Sequence, residues 1–361
     1  MRRLRWAMII AVSALIGCNG DDTPPSFFDS GTDGTTDATS DAPDGQVQAH
    51  AKIIAVHASP DVGAIRICFA IGTQDDGSDG VVAPIQPVPS AAINAGGGAA
   101  LPDLGLLTGM DLSQSALTPY VFLSQLIGTG GQTCDVLASM LTVNTDFYIL
   151  PTLKHKTLVP NTTIMFALTG CLRSSLDSMA DATTCGPAYD VSTGNLAFET
   201  FSLDQVIANT QRFGAQVLDV ASPATGVWSL LYGAPIVTAS ILPLDGGAAS
   251  VIADTVSLGE LAPTTAASLT MPVVDESALQ VNALNPDGGA PPVSLTVLLP
   301  LVYEATTGQT TGENAYFSPG MNYSFVFLGD PRQPTTLDGG AFNGYSLHAL
   351  AFPNTPQLPS P

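Results

Sequence analysis

The feature that most constrains this chain is an internal repeat, seen as two pairs of similar segments. Residues 51–60, AKIIAVHASP, resemble residues 215–223, AQVLDVASP, with one residue deleted at His57. Residues 158–170, LVPNTTIMFALTG, resemble residues 317–329, FSPGMNYSFVFLG, without a gap. Both pairs are separated by roughly 160 residues, so we expect one structural unit of about that length to occur twice.

Within each unit, short apolar runs alternate with turn residues, and no long helical period appears. Runs rich in Val, Ile, Leu, Thr and aromatic residues are typical of strands. They lie at 52–56, 120–126, 147–150, 163–168, 216–220, 267–273, 294–302 and 323–328. Asp-Gly-Gly turns recur because glycine adopts positive φ at little steric cost. The pattern predicts an all-β fold with two tandem antiparallel β-sandwich domains of the immunoglobulin-like kind.

We place the first domain at residues 50–201 and the second at residues 214–355, followed by a tail at 356–361. Between the domains, Ser202, Leu203, Asp204 and Gln205 have the pattern of a helix capping box. The sequence therefore predicts that residues 202–213 form a short connecting helix or a linker.

The edges of the repeat resemble a known family. The segment 51–61, AKIIAVHASPD, followed by 64–69, AIRICF, is similar to the repeats called domain of unknown function 4397. The segments 160–170 and 319–329 resemble the last strand of that family. The sequence departs from the family pattern in two pairs of positions. Arg66 and Ser229 replace its usual acidic residue, and Cys68 and Leu231 replace its usual tyrosine. The resemblance implies an exported bacterial β-rich protein, in a family with no established catalytic activity.

The N-terminus has the layout of a secretory signal. Residues 1–6 are basic, residues 7–16 are almost wholly apolar, and Gly17 precedes Cys18. The apolar run is too short to span a bilayer. Its end resembles the bacterial lipobox, which implies cleavage after residue 17 and acylation of the Cys18 thiol. Asn19, rather than Asp, then favours the outer membrane.

Residues 18–49 read as an acidic stalk. They carry seven Asp and no basic residue, and they offer little apolar surface to offset the entropy lost on ordering. We expect a disordered linker that holds the folded part away from the membrane. Calcium binding is the alternative for so many carboxylates, but no spaced loop with a closing Glu is present.

Four cysteines follow Cys18, an even number in a chain expected to be exported. Two disulfides are the natural interpretation, with three connectivities open. Cys171 and Cys185 bracket a short polar segment, and their pairing would leave Cys68 with Cys134. No C-x-x-C occurs and the histidines are scattered, so we expect no metal site and no cofactor.

The HASPD motif contains the components of an acyl-transfer site, His57, Ser59 and Asp61. Side chains two residues apart in one tight turn cannot place base and nucleophile without help from elsewhere in the fold. We interpret the motif, with Pro60, as a structural turn, because the second copy keeps Ser222 and Pro223 but lacks the acid and the imidazole. No catalytic residue is expected, and a hydrolase would require a reactive nucleophile that the sequence does not reveal.

Three other motifs have a possible chemistry. The acidic segment 75–80, DDGSDG, partly imitates a calcium loop, but an exposed turn is the preferred interpretation. The segment 95–99, AGGGA, lacks the Lys and hydroxyl of a phosphate loop and is interpreted as a flexible loop. The segment 154–156, KHK, is the one basic cluster after the leader, and it is interpreted as the solvent-exposed end of a strand.

Composition excludes one class of function. The chain has 10 Lys+Arg against 31 Asp+Glu, and such a surface repels phosphate backbones, so we expect no nucleic-acid partner. The predicted function is an exported, lipid-anchored, non-enzymatic surface or periplasmic module that contacts the membrane through its lipid and an unknown protein or glycan partner. A carbohydrate-, peptide- or calcium-binding module is the alternative.

Overall fold

The folded part is built of short β-strands that follow the apolar runs of the sequence. A computed structural model describes residues 50–127, 131–173, 185–186, 188–206, 209–221, 236–257, 259–272, 274–283, 293–307, 317–329 and 346–354. The predicted leader, Cys18, the stalk, Ser222, Pro223 and the C-terminal tail lie outside these residues. Within them, no helix is both long and apolar enough to cross a membrane.

The first domain is a sandwich of two sheets. Its strands are β1 (Lys52–His57), β2 (Ile65–Gly72), β3 (Val81–Val82), β4 (Val88–Ile93), β5 (Gly98–Ala100), β6 (Ala116–Leu123), β7 (Phe147–Ile149), β8 (Thr163–Thr169) and β9 (Ala197–Leu203). One sheet has the order β5-β1-β8-β9, and the other has the order β3-β2-β6-β7, with β4 also paired to β2. Their inner faces enclose an apolar core that includes Ile67, Phe69 and Phe166.

Two short helices decorate this first sandwich, α1 (Leu104–Thr108) and α2 (Cys134–Met140). Cys134 and Leu137 of α2 pack with Cys68 of β2 and Phe122 of β6 in a separate apolar cluster. This helix therefore covers part of the outer face of the β3-β2-β6-β7 sheet.

The second domain repeats the architecture. Its elements are β10 (Phe213–Asp219), β11 (Ile236–Pro243), β12 (Ser250–Ala253), β13 (Leu261–Leu269), β14 (Ser277–Ala283), β15 (Val293–Leu298), the helix α3 (Leu299–Thr307), β16 (Asn322–Leu328) and β17 (His348–Pro353). The sheets have the orders β13-β10-β16-β17 and β12-β11-β14-β15. Their core includes Phe213, Phe325 and Leu279. The prediction of an all-β fold with tandem sandwich domains is thus confirmed.

Among the described strands, each domain has one parallel pair, and the other strand pairs are antiparallel. Strand β1 runs parallel to β8, and β10 runs parallel to β16. Strands β1 and β10 lie in the first pair of similar segments, and β8 and β16 lie in the second pair. The two copies of the unit therefore close in the same way, by placing the first strand beside the strand that follows the proline-containing turn.

The two sandwiches pack against each other through the outer faces of these sheets. The buried residues at the contact are Ile54, Val56, Ala58, Met165, Ala167 and Leu203 from the first domain and Leu218, Val220, Val326, Leu328, Leu350 and Phe352 from the second. Strands β1, β8, β10 and β16 are consequently buried on both faces, which explains their nearly continuous apolar runs. The result is four stacked sheets with three apolar layers between them.

A polar cluster around Asn354 of the second domain lies at the same interface, and one of its bonds, from Thr163, crosses between the domains. The Asn354 side chain donates from Nδ2 to the Asp204 carbonyl and to Gln216 Oε1, each at 3.0 Å, and accepts at Oδ1 from Ser324 Oγ at 2.9 Å. The Thr163 hydroxyl donates to the Asn354 carbonyl. Asn354 is fully buried, so these bonds satisfy a polar group that would otherwise be costly.

The predicted helix within 202–213 is wrong for the residues described there. Leu203 ends β9, Phe213 begins β10, and residues 204–206 and 209–212 contain no helix. The Asp204 carboxylate accepts from Val206 N at 2.9 Å and from Ala266 N of β13 at 2.7 Å. The side chain expected to cap a helix instead joins the linker to the second domain.

The interpretation of residues 95–99 as a flexible loop is also corrected. Gly96 N donates to the His57 carbonyl, and His57 N donates to the Gly97 carbonyl, both at 2.8 Å. Across the domain interface, the His348 Nε2 lies 2.5 Å from the Gly96 carbonyl. Gly98 is needed because β17 approaches closely: a Cβ on Gly98 would lie 2.5 Å from Phe352 Cζ.

Candidate functional site

The HASPD motif forms a turn that fastens two loops together. Ser59 Oγ donates to Asp61 Oδ1 at 2.9 Å, and Leu172 N donates to Asp61 Oδ2 at 2.8 Å. The His57 Nε2 lies 3.0 Å from the Gly63 carbonyl. The Asp61 carboxylate thus holds the turn to the segment that follows β8.

The geometry of this turn differs from that of a nucleophile and its base. Ser59 is only 1% exposed and His57 is fully buried. His57 Nδ1 has no hydrogen-bond partner and its Nε2 faces the Gly63 carbonyl, so among the described residues the imidazole does not bond the Ser59 hydroxyl. Desolvation by burial lowers the pKa of His57 to about 4.

The carboxylates of the acidic segment 75–80 accept hydrogen bonds from nearby donors. Asp79 accepts from Thr73 Oγ1 and from the amides of Thr73 and Gln74 at 2.6–3.0 Å. The bond from the Thr73 hydroxyl, and then those from the two amides, lower the pKa of Asp79 to about 2. The described residues include no group of three or more His, Cys, Asp or Glu placed to hold a metal ion.

The basic cluster 154–156 is tied to this acidic segment. His155 Nδ1 lies 2.7 Å from Asp75 Oδ1, and His155 N donates to the same oxygen at 2.8 Å. Both partners are partly exposed, so the pair orients the two loops and adds little stability.

Both predicted disulfides are present. Cys68 of β2 is bonded to Cys134, the first residue of α2, with the Cα atoms 5.7 Å apart. Cys171, which follows β8, is bonded to Cys185, with the Cα atoms 5.3 Å apart. The first bond attaches α2 to the sheet beneath it, and the second closes a loop at the end of the first sandwich.

A groove opens at the edge of the first sandwich, beside the second disulfide. It lies between the edge strand β7 with the residues flanking it and two segments that connect β8 to the edge strand β9. Its volume is about 360 Å³, within the range of ligand sites. The lining residues are Asn144, 148–151, 171–173 and 193–197. We call this feature the β7 groove.

The wall of the β7 groove opposite β7 is fixed by local bonds. Asn195 Oδ1 accepts from Cys171 N at 2.9 Å, and its Nδ2 donates to the Cys185 carbonyl at 2.8 Å. Gly194 has a φ of 73°, and a Cβ there would lie 2.6 Å from the Cys171 carbonyl oxygen. Only glycine fits this backbone position without displacing the disulfide segment.

Arg173 and Tyr148 give the β7 groove its polar character. Arg173 Nε is shielded from solvent and makes no hydrogen bond to the part of the chain that the structure describes. Burial, and then the nearby carboxylates of Asp61 and Asp146, raise the pKa of the Tyr148 hydroxyl. Sequence reasoning singled out neither residue. The available signal was weak: Arg173 is one of few basic residues in an acidic chain and follows Cys171 closely.

Comparison with known proteins adds little to this geometry. No family model matches the chain, and no curated protein matches it. The resemblance to domain of unknown function 4397 therefore stays a prediction.

Two solved structures align over most of the chain. One is a proposed cell adhesion protein from Bacteroides uniformis ATCC 8492, with 12% identity over 86% of this chain and 98% of that chain, and a TM-score of 0.22. The other is a proposed cell adhesion protein from Bacteroides eggerthii DSM 20697, with 11% identity over 85% of this chain and 96% of that chain, and a TM-score of 0.20. These TM-scores are too low for either alignment to support an argument about function.

Proposed function

We propose that this protein is an exported, lipid-anchored module of the cell envelope that acts by binding a partner and not by catalysis. Cys18 carries the lipid, and the acidic stalk separates the membrane from the folded domains. The joined sandwiches then present their loops and strand edges to a protein or glycan partner.

The observation that carries this proposal is the pairing of all four cysteines after Cys18 into two disulfides. Disulfides form and persist in oxidising compartments and are rare in the cytosol. This agrees with the signal-like layout of residues 1–18. The packed interface between the domains also supports a presenting role, because it makes the described part a stiff body and not two independently moving modules.

The anchoring is tested by labelling cells that express the full chain with radioactive palmitate. We expect label in the wild-type protein, recovery in the membrane fraction, and loss of both on Cys18→Ala. The matched control is Cys68→Ala/Cys134→Ala, which should retain the label because it leaves the leader unchanged. Unlabelled wild-type protein with an intact leader in the cytosolic fraction would overturn the proposal.

The β7 groove favours one alternative, a module that binds a specific ligand. The ligand classes expected from the sequence are carbohydrates, peptides and calcium. We would measure the melting temperature of the full chain with calcium, cell-wall glycans and peptide mixtures. A ligand that binds only the native state stabilises it by RT ln(1 + L/Kd), where L is the free ligand concentration, so the melting temperature rises as the ligand concentration exceeds Kd. An unchanged melting temperature with every addition would contradict this alternative.

A further inference from the structure

We propose that the β7 groove binds an extended peptide that carries a carboxylate, and that the carboxylate is received by the guanidinium of Arg173. This inference rests on the proposed function, since it names the partner class of a binding module. It assigns the recognition to the first domain and to an edge of its sandwich.

The first argument is the state of Arg173. Its Nε is buried at a groove large enough for a ligand and has no hydrogen-bond partner in the described ranges of the chain. Among the described residues, no carboxylate oxygen lies within ion-pair distance of this side chain, since the pairs found there involve only His50 and His155. An unsatisfied buried donor is costly, and a ligand that accepts from it removes that cost. A carboxylate matches the planar fork of the guanidinium best.

The nearby carboxylates do not satisfy this role. Asp61 accepts from Ser59 Oγ and Leu172 N, and Asp146 Oδ2 accepts from Thr142 N at 2.8 Å. They act on Tyr148, whose pKa they help to raise, and they are engaged in holding turns. A carboxylate for Arg173 therefore has to come from outside the described part of the chain.

The second argument is the outward-facing backbone of Ile149 in β7, which favours a peptide. The other outward-facing residue of β7, Phe147, already accepts from Asn144 N at its carbonyl, at 2.7 Å. Leu150 N donates to the Pro119 carbonyl at 2.9 Å, and Leu123 N donates to the Asp146 carbonyl at 3.2 Å. Bonded positions alternate in an antiparallel pair. The backbone N–H and C=O of Tyr148 are therefore directed at β6. The backbone N–H and C=O of Ile149 are directed away from β6, at the outer edge of the sheet.

The chemistry of the groove combines these features. Ile149 and Leu150 on one side and Leu172 on the other give apolar flanks, and the Ile149 backbone offers one donor and one acceptor to an added strand. Such edge addition is a common mode of peptide recognition, in which main-chain bonds give affinity and side-chain contacts give specificity. Arg173 would then select acidic over neutral sequences.

The test uses the full chain with ¹⁵N-labelled arginine and two synthetic peptide pools. The pools are Ac-Thr-X-Glu-X-Thr-amide and Ac-Thr-X-Gln-X-Thr-amide, where X is an equal mixture of Val, Ile, Leu and Phe. We expect the Glu pool to shift the Arg173 Nε–H resonance and to slow hydrogen exchange at the Ile149 amide. The Gln pool should need a concentration about tenfold higher or more, because it lacks the charge.

Variants separate recognition from folding. Arg173→Gln should raise the half-saturating concentration of the Glu pool about tenfold or more, and Arg173→Lys should have a smaller effect because it keeps the charge and loses the fork. The matched control is Arg212→Gln, at an exposed arginine directly before β10, which should bind as the wild type does. Melting curves of each variant confirm that it is folded.

Several results would overturn the inference. These are an unmoved Arg173 resonance with both pools, equal binding of the Glu and Gln pools, or equal losses in Arg173→Gln and Arg212→Gln. A shift with N-acetylglutamate amide but no protection of Ile149 with the Glu pool would assign the groove to free carboxylates and reject the peptide. The palmitate labelling of Cys18 is independent of all these outcomes, so failure of the groove and failure of the anchor are distinguished.

Discussion

His57 and Asp219 occupy the same position in the two domains. His57 ends β1 opposite Leu168 of β8, and Asp219 ends β10 opposite Phe327 of β16. In both domains the next residue donates its N–H to the carbonyl of that partner. Both side chains are buried, so one structural position holds a group that is cationic when ionised in one copy and a group that is anionic when ionised in the other.

Asp219 should make the protein less stable in alkaline solution. Desolvation raises its pKa to about 7 from the ordinary 3.8, so the folded state holds a proton that the unfolded state releases. The contribution of Asp219 to the free energy of unfolding is present below pH 3.8 and is lost as the pH rises through about 7. Melting temperatures at pH 4–8.5 should show Asp219→Asn increasingly more stable than wild type toward high pH. Asp254→Asn, on the exposed surface of the same domain, should show no such trend, and a wild-type-like pH dependence in Asp219→Asn would contradict the prediction.

His57 should make the protein sensitive to acid. Its pKa is lowered by burial to about 4 from the ordinary 6.5, so the unfolded state binds the proton more readily. The contribution is present above pH 6.5 and is lost as the pH falls toward 4. In urea titrations, the free energy of unfolding should fall less for His57→Gln than for wild type as the pH is lowered from 6.5 to 4. His155→Gln, whose side chain is 43% exposed, serves as control, and equal acid sensitivity of wild type and His57→Gln would refute the expectation.

Gly98→Ala should destabilise the contact between the two domains. The added Cβ would meet Phe352 Cζ at 2.5 Å and the Ala55 carbonyl oxygen at 3.1 Å. Overpacking of this kind lowers the free energy of unfolding by about 1–3 kcal/mol. In the double variant Gly98→Ala/Phe352→Leu the loss should be smaller than the sum of the single losses, because the shorter side chain removes the clash.

Gly63→Ala is the matched control for this experiment. No heavy atom lies within 4 Å of a Cβ at that position, so its effect should stay within about 0.5 kcal/mol. Strict additivity of Gly98→Ala and Phe352→Leu would show that the two side chains do not meet across the interface.

Removal of the two disulfides should have unequal costs. The Cys68–Cys134 bond spans a sequence separation of 66, and the Cys171–Cys185 bond spans 14. The chain-entropy model gives about 4 kcal/mol for the first and about 3 kcal/mol for the second at 25 °C. In urea unfolding, the free energy of unfolding of Cys68→Ala/Cys134→Ala should therefore be lower than that of Cys171→Ala/Cys185→Ala. The reverse order would mean that the native contacts of each loop, and not the entropy of the unfolded chain, decide the cost.

The register of the structure refines the repeat that the sequence revealed. The similar segments aligned Lys52 with Gln216, whereas strand pairing places Gly214 at the position of Lys52, two residues earlier. A shift of two keeps every side chain on the same face of a strand. The sequence alignment, although shifted by two residues, therefore still matched apolar positions with apolar positions. The equivalence of His57 and Asp219 became visible only from the pairing of the strands.

Local patterns determined the β content, the repeat of the unit and the short-range disulfide of this protein, because alternation of apolar residues, turn glycines and cysteine spacing act over a few residues to a few tens of residues. Only the tertiary structure decided that the domains pack sheet against sheet, that Asp204 binds β13 and not a helix end, and that Arg173 lies at a groove beside β7. These contacts join residues far apart in the chain, and their free energy depends on which surfaces meet, a property that no single segment of sequence carries.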